Sequence, residues 1–174
     1  MRRLLVLALA LAPATLRAQP APDAPVARHV TRLLELANTS FREVRGELNY
    51  QSGATTTSTP YRSTYPIRFR GADVASDVWV NQSWNVMHQS SLPVGGDRAA
   101  LPAAWREVAD SIKAVIPAGW TENRRDGERP FVYWEECGNG AGRSVALNTS
   151  LPFETPALTL IVYRFDAPCP TATR

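Results

Sequence analysis

The sequence predicts an α+β fold, an antiparallel sheet of about six to eight strands with two helices packed on one of its faces. Three observations support this prediction. Two stretches, about 24–39 and about 102–116, repeat apolar residues with the period of a helix. The segments after each stretch alternate apolar and polar residues, as strands do. Two helices are too few for a doubly wound parallel sheet of this size, so the order favours two layers.

The first helix is predicted from its start signal and its apolar stripe. Asp23 is a good N-cap residue, and Pro25 follows it in the first turn. One helical face then collects the apolar residues Val26, Val30, Leu33, Leu34 and Ala37. We expect this face to pack on the sheet.

Four short strands are predicted after this helix, because the apolar period changes to two. The polar run SGATTTSTP, residues 52–60, is expected to be a loop or a wide turn between strands. The alternating apolar and aromatic positions are Val44, Leu48 and Tyr50; Tyr61, Tyr65, Ile67 and Phe69; Val74, Val78 and Val80; and Trp84, Val86 and His88.

A second helix and a second set of strands follow. The helix has Pro102 in its first turn, one apolar stripe that includes Trp105, and Pro117 after its end. The strand candidates after it are 120–124, 130–137, 143–150 and 157–165. The full order α-β-β-β(β)-α-β-β-β(β) suggests two related halves, although they match in element order and not in residues.

The stretch FVYWEECGNG, residues 131–140, is placed in a strand by the hairpin before it. A two-residue Asp126-Gly127 turn would place Pro130, which has no backbone N–H, at a position that should donate to Asn123, so we predict a four-residue loop, 125–128. Either loop sets Trp120 opposite Tyr133. In this strand Tyr133 and Glu135 point to one side and Trp134 and Glu136 to the other. Adjacent Glu135 and Glu136 therefore cannot be the facing carboxylates of a glycosidase.

The first residues have the features of a secretory signal peptide. Arg2 and Arg3 precede an apolar run, and the small residue Ala18 marks a cleavage site. The run of roughly 12 residues is shorter than the roughly 20 that a transmembrane helix needs. We predict a secreted or periplasmic protein without a transmembrane segment. The predicted regions are a signal peptide at 1–18, a flexible segment at 19–23, one α+β domain at 24–166 and a disulfide-tied tail at 167–174.

The charge balance predicts no nucleic-acid partner. The chain has 19 Lys+Arg and 16 Asp+Glu. Arg2, Arg3 and Arg17 belong to the signal peptide, which leaves 16 basic residues in the mature chain. Nucleic-acid binding needs a surplus of clustered basic residues, and the longest basic run is Arg124-Arg125.

The two cysteines predict one disulfide. In an oxidising compartment an even number of cysteines indicates pairing, and Cys137 with Cys169 is the one choice. A meander of the last three strands would bring the tail back to Cys137. A redox-active pair is the alternative, but the chain has no C-x-x-C motif.

The familiar catalytic motifs are missing from the sequence. The chain has two histidines, His29 and His88, and neither lies in a zinc-binding pattern or near a G-x-S-x-G serine. No glycine-rich phosphate loop precedes a helix. We therefore predict no cofactor and no metal site, and interpret both histidines as structural or surface residues.

Aromatic residues leave a binding face as the sharper functional hypothesis. Trp79, Trp84 and Trp134 are strand residues, and rings on the wet face of a sheet can stack on sugars or proline-rich peptide, with Glu136 among the groups that would supply hydrogen bonds. The alternative is that these rings belong to the core.

The sequence thus favours a non-enzymatic domain that binds a partner protein or a cell-envelope component such as glycan, with homodimerisation open. The alternative function is a carboxylate-dependent hydrolase that acts on envelope glycan or peptide, for which a convergent pair of acids would be required.

Overall fold

The computed structural model describes residues 25–81, 85–96, 98–138, 141–150, 156–167 and 169, so the predicted signal peptide and segment 19–23 lie outside the described residues. Helix α1 is Pro25–Ala37 and helix α2 is Leu101–Lys113, close to the predicted ranges. Neither described helix is both long and apolar enough to cross a membrane.

The strands follow the predicted order. Strands β1 to β6 lie between the helices and strands β7 to β10 follow α2. Short 3-10 turns occur at Arg42–Val44, Tyr50–Ser52 and Arg98–Ala100. The strands are β1 Arg45–Leu48, β2 Ser58–Ser63, β3 Arg68–Phe69, β4 Ala72–Asp73, β5 Ser76–Asn81, β6 Asn85–Pro93, β7 Thr121–Arg125, β8 Phe131–Glu135, β9 Arg143–Ser150 and β10 Ala157–Phe165.

Eight of these strands form one antiparallel sheet in the order β1-β2-β5-β6-β10-β9-β8-β7, and β3 and β4 form a separate hairpin. The predicted fold class is confirmed. The sheet divides into an N-terminal half, α1 with β1, β2, β5 and β6, and a C-terminal half, α2 with β7 to β10. The seam between the halves is the pairing of β6 with β10, where His88 lies opposite Val162.

Both helices pack on the same face of the sheet, which we call the inner face. Strand alternation gives this face the fully buried side chains Val78, His88, Leu92, Val132, Trp134, Val145, Leu147, Leu158, Leu160 and Val162. The indole N–H of Trp105 on α2 donates to the carbonyl of Leu147 on β9 at 3.4 Å. The opposite face of the sheet, which we call the outer face, carries the alternate residues of each strand.

The hairpin between β7 and β8 corrects the predicted register. Arg125 pairs with Phe131 and Asn123 with Tyr133, so the loop is 126–130 and Trp120 lies before the strand. The prediction that Trp120 faces Tyr133 is wrong. A loop of this length keeps Pro130 out of the ladder altogether, since proline has no N–H to donate to it.

A second correction concerns the predicted strand from Tyr61 to Phe69. Strand β2 ends at Ser63, and Phe69 lies in the separate β3–β4 hairpin. Ile67 and Phe69 are buried in the same core as the apolar residues of the helices. Their alternating spacing therefore reflects burial at this hairpin, and it does not require that β2 continue to Phe69.

The predicted disulfide between Cys137 and Cys169 is confirmed, with Cα atoms 5.4 Å apart. Strands β8, β9 and β10 form the expected meander, so β8 and β10 run in the same direction and their carboxyl ends lie at the same end of the sheet. Gly142 lies against the bridge with a φ of +75°, and a Cβ there would come within 2.9 Å of the Cys137 Sγ. A glycine is therefore required beside the disulfide.

Candidate functional site

Trp134 lies on the inner face and cannot contact a ligand there. Its side chain is 2 % exposed, and its indole N–H donates to the Glu122 carboxylate at 3.1 Å. Lys113 at the end of α2 also contacts Glu122, and these contacts hold the pKa of Glu122 below its ordinary value. The prediction that Trp134 contributes to a binding face is thus wrong, because helix α2 covers that side of the sheet.

Glu136 is occupied by Arg143. The guanidinium donates to both carboxylate oxygens, at 2.7 Å and 3.1 Å, and the Arg143 backbone N–H donates to one of them. Hydrogen bonding to Arg143 lowers the pKa of Glu136. Arg143 also lies over the Trp120 ring, 5.7 Å from its centroid. Glu136 therefore fixes the chain beside the disulfide, and it offers no free carboxylate for a ligand.

Trp79 is the predicted binding residue that lies on the outer face, while Trp84 falls in 82–84, outside the described residues. Trp79 pairs with Met87 on β6, and Met87 pairs with Tyr163 on β10. Phe165 stacks on Tyr163 with ring centroids 5.7 Å apart and an interplanar angle of 11°. All four of these side chains are half-buried.

The aromatic character of the outer face continues across the C-terminal half. Tyr133 and Phe131 on β8 point outward, next to Ala146 and Asn148 on β9. Both rings are half-buried, and burial raises the pKa of the Tyr133 hydroxyl. Six large side chains therefore lie at outer-face positions of four strands. They are Trp79, Met87, Tyr163, Phe165, Tyr133 and Phe131.

Amide groups lie among these rings. Asn81, Gln89 and Asn148 occupy outer-face positions of β5, β6 and β9. Each primary amide carries both a hydrogen-bond donor and an acceptor. The outer face thus combines flat apolar rings with neutral polar groups.

Carboxylates on the outer face are far apart. Asp77 on β5 and Glu135 on β8 both point outward, and strands β6, β10 and β9 separate them. Four strand spacings amount to about 19 Å, well beyond the 5 to 9.5 Å of paired glycosidase carboxylates. The Asn49 amide and the Ser52 hydroxyl also donate to Asp77, at 2.7 Å and 2.6 Å. These two acids cannot act on one glycosidic bond.

His88 lies in a polar network inside the N-terminal half. It is fully buried, with Nε2 2.9 Å from the Ser63 hydroxyl and Nδ1 3.3 Å from the Ser90 hydroxyl. Burial lowers its pKa to about 4, and the charge of Asp77 opposes this shift. The Ser63 hydroxyl also accepts the Tyr65 backbone N–H.

The histidine–serine contact does not make a catalytic triad in the part of the chain that the structure describes. None of the described carboxylates is hydrogen-bonded to His88, whose two ring nitrogens contact Ser63 and Ser90. A triad needs an acid on the second nitrogen to orient the ring as a base. His88 is therefore a buried structural residue, and it lies in the middle of β6 instead of at a strand end.

One cluster was missed by the sequence reasoning, because its members are dispersed along the chain. We call it the arginine end, which consists of Arg98, Arg106, Arg124, Arg125 and Arg129. They line three adjoining depressions of ≈ 320, 430 and 440 Å³ that share Pro130. The adjacent pair Arg124-Arg125 is the part of this cluster that the sequence shows. The other members come from the β7–β8 loop, from α2 and from the turn before α2, and only the fold brings them together.

Comparison with protein-family models, curated proteins and solved structures gives no match for this chain. The described residues also contain no group of three or more His, Cys, Asp or Glu side chains that could hold a metal ion.

Proposed function

We propose that this chain is a non-enzymatic binding domain of the periplasm or cell exterior, and that its outer face binds a polysaccharide of the cell envelope. The observation that carries the proposal is the cross-strand row of Trp79, Met87 and Tyr163, extended by Phe165. The predicted signal peptide supports the compartment, and so does the disulfide, because disulfides persist in oxidising spaces.

Sugar rings fit the chemistry of this surface. Their C–H faces are apolar and stack on flat aromatic rings, while their hydroxyl groups exchange hydrogen bonds with amides. Trp79 and Tyr163 supply the rings, and Gln89 is the next residue after Met87 on the same face of β6. Both helices pack on the inner face, so they do not cover these half-buried residues, although the indole nitrogen of Trp79 is itself buried.

A hydrolase is supported less well. The outward-pointing Asp77 and Glu135 are about 19 Å apart by strand spacing. A general acid also needs a raised pKa, whereas ion pairing lowers the pKa of Glu122 and of Glu136. We therefore favour binding without turnover.

Co-sedimentation of the mature protein with purified peptidoglycan sacculi and with insoluble polysaccharides tests the proposal. Replacing Trp79 or Tyr163 by Ala should weaken binding about tenfold, because one stacking contact is lost. The matched control is Tyr61→Ala, since Tyr61 is a half-buried tyrosine that packs on the inner face against Val78.

Two results would overturn the proposal. One is equal loss of binding in Tyr61→Ala and Tyr163→Ala, which would indicate a general effect of destabilisation. The other is retention on crude envelopes that survives digestion of the glycan and disappears after protease treatment, which would identify a protein partner.

A further inference from the structure

We infer that the polysaccharide held by the outer face is anionic, and that its carboxylate or sulfate groups bind at the arginine end. This inference rests on the proposed function, because it names the chemical class of the ligand for the same surface. Its basis is the charge, the availability and the position of the arginines.

The arginine end concentrates positive charge in a mature chain whose charges balance overall. The three depressions around Pro130 are lined by five arginines and by two acids, Asp126 and Glu128, an excess of three positive charges. After loss of Arg2, Arg3 and Arg17, the 19 basic residues of the chain fall to 16, equal to its 16 acids. Local excess of one sign on a neutral protein favours a ligand of the opposite sign.

Most of these guanidinium groups are free to bind an oxyanion. Arg124 contacts Asp126 at 3.1 Å and lies over the Trp105 ring, 4.7 Å from its centroid. The other four have no carboxylate within salt-bridge distance in the part of the chain that the structure describes, and of these Arg106 donates from Nε to the Pro102 carbonyl at 3.1 Å. An unpaired guanidinium presents a planar fork of donors that matches a carboxylate or a sulfate.

The Arg125 side chain lies on the outer face, and the Phe131 ring holds it in place. It points outward from β7, and its guanidinium lies 5.3 Å from the centroid of the Phe131 ring. Stacking on an aromatic ring fixes the plane of the group without using its hydrogen-bond donors. Arg125 is thus oriented before a ligand arrives.

The arginine end is continuous with the outer face. Phe131 and Asn148 are outer-face residues, and both line the ≈ 430 Å³ depression together with Arg125 and Arg129. Tyr163 lies opposite Ser144 and Phe131 lies opposite Asn148, four residues away along β9, so a polymer that stacks on Tyr163 reaches these two arginines by crossing β9 and β8 diagonally. One polysaccharide chain would then be bound both by stacking on the aromatic rings and by ion pairing with the arginines.

Isothermal titration calorimetry with the full mature protein tests this inference. The probes are polygalacturonate, its fully methyl-esterified form, which has the same backbone without charge, and heparin, which carries sulfate. The variants are the double substitution Arg125→Gln and Arg129→Gln, Trp79→Ala, and Arg42→Gln as control, because Arg42 is an exposed arginine of the N-terminal half.

We expect an acidic polysaccharide to bind at least tenfold more tightly than the methyl ester at low salt, and this preference to fall with added salt. The double arginine variant should lose about tenfold in affinity for the acidic probe and keep its affinity for the ester. Arg42→Gln should leave both unchanged. Tighter binding of polygalacturonate than of heparin identifies the anion as carboxylate, whereas tighter binding of heparin, which carries carboxylate as well as sulfate, shows that sulfate adds to the affinity.

The failures are distinguishable. Equal binding of acidic and esterified probes, weakened by Trp79→Ala and unaffected at the arginines, overturns this inference and leaves the proposed function standing. Binding that depends on the arginines but not on Trp79 overturns the outer face as the platform. If none of the three probes binds, this inference fails, and binding to sacculi then decides the proposed function separately.

Discussion

The two halves of the sheet share an architecture and differ in what stabilises them. In the N-terminal half, the inner face contains a buried histidine and serines, with His88 and Ser90 opposite Val162 and Leu160 of the C-terminal half. In the C-terminal half, the inner face is apolar around Trp134, and a disulfide joins the ends of β8 and β10. The same arrangement of one helix and four strands therefore has two different sensitivities, to acid in one half and to reduction in the other.

The largest effect should follow from removing Trp134, at the centre of the apolar half. We expect Trp134→Ala to lower the free energy of unfolding by about 4 kcal/mol, because it leaves a cavity under α2 and removes a donor to Glu122. Urea unfolding at pH 7 measures the change. Phe131→Ala, on the outer face of the same strand, should cost about 1 kcal/mol. Equal costs would contradict the assignment of inner and outer faces.

Loss of the disulfide should be nearly as large. The bridge spans a sequence separation of 32, so replacing Cys137 and Cys169 by Ala should lower the free energy of unfolding by about 3.5 kcal/mol in the chain-entropy model. Urea unfolding in the presence and absence of reductant measures it. The double variant should show no further response to reductant. If the wild type is equally stable with and without reductant, the predicted sensitivity of the C-terminal half to reduction is wrong.

Acid should act on the N-terminal half through His88. Burial lowers the pKa of His88 to about 4 from an ordinary 6.5, so the unfolded chain takes up a proton first as pH falls. Stability is thus complete above about pH 6.5 and is lost toward pH 4, by about 2.5 kcal/mol at pH 4.5. Urea unfolding from pH 7 to 4.5 measures the loss.

The matched variants for this pH dependence are His88→Gln and His29→Gln. The first should remove most of the slope, since glutamine does not titrate. The second should remove less, because His29 is only partly buried, although burial also lowers its pKa. A slope that persists in His88→Gln would assign the acid sensitivity to other groups, such as the Glu136 carboxylate beside Arg143.

The sequence predicted most of the fold, because periodicity reports local structure directly. The apolar stripes located both helices, and alternation correctly placed Trp134 and Tyr133 on opposite sides of β8. Alternation could not say which side the helices cover. That choice depends on how α2 crosses the sheet, and it decided that Trp134 is core and Trp79 is not.

The site was harder to predict, because its residues come together only through the packing of distant elements. The arginine end joins the β7–β8 loop, the start of α2 and the end of β9, and no local pattern relates Arg98 to Arg129. The register of the β7–β8 hairpin was also missed, because the turn signal Asp126-Gly127 favours a short loop and the loop observed, 126–130, is longer than the predicted one.

The position of β10 has a consequence for how the chain folds as it is synthesised. It is the last of the described strands in chain order, yet it lies at the middle of the sheet, bonded to both β6 and β9. During synthesis, which starts from the amino end, β6 emerges well before residues 157–165, and one edge of it stays unpaired until they arrive. An unpaired edge can recruit another chain. The interval between the arrival of β6 and that of β10 is therefore when this protein is most prone to aggregate.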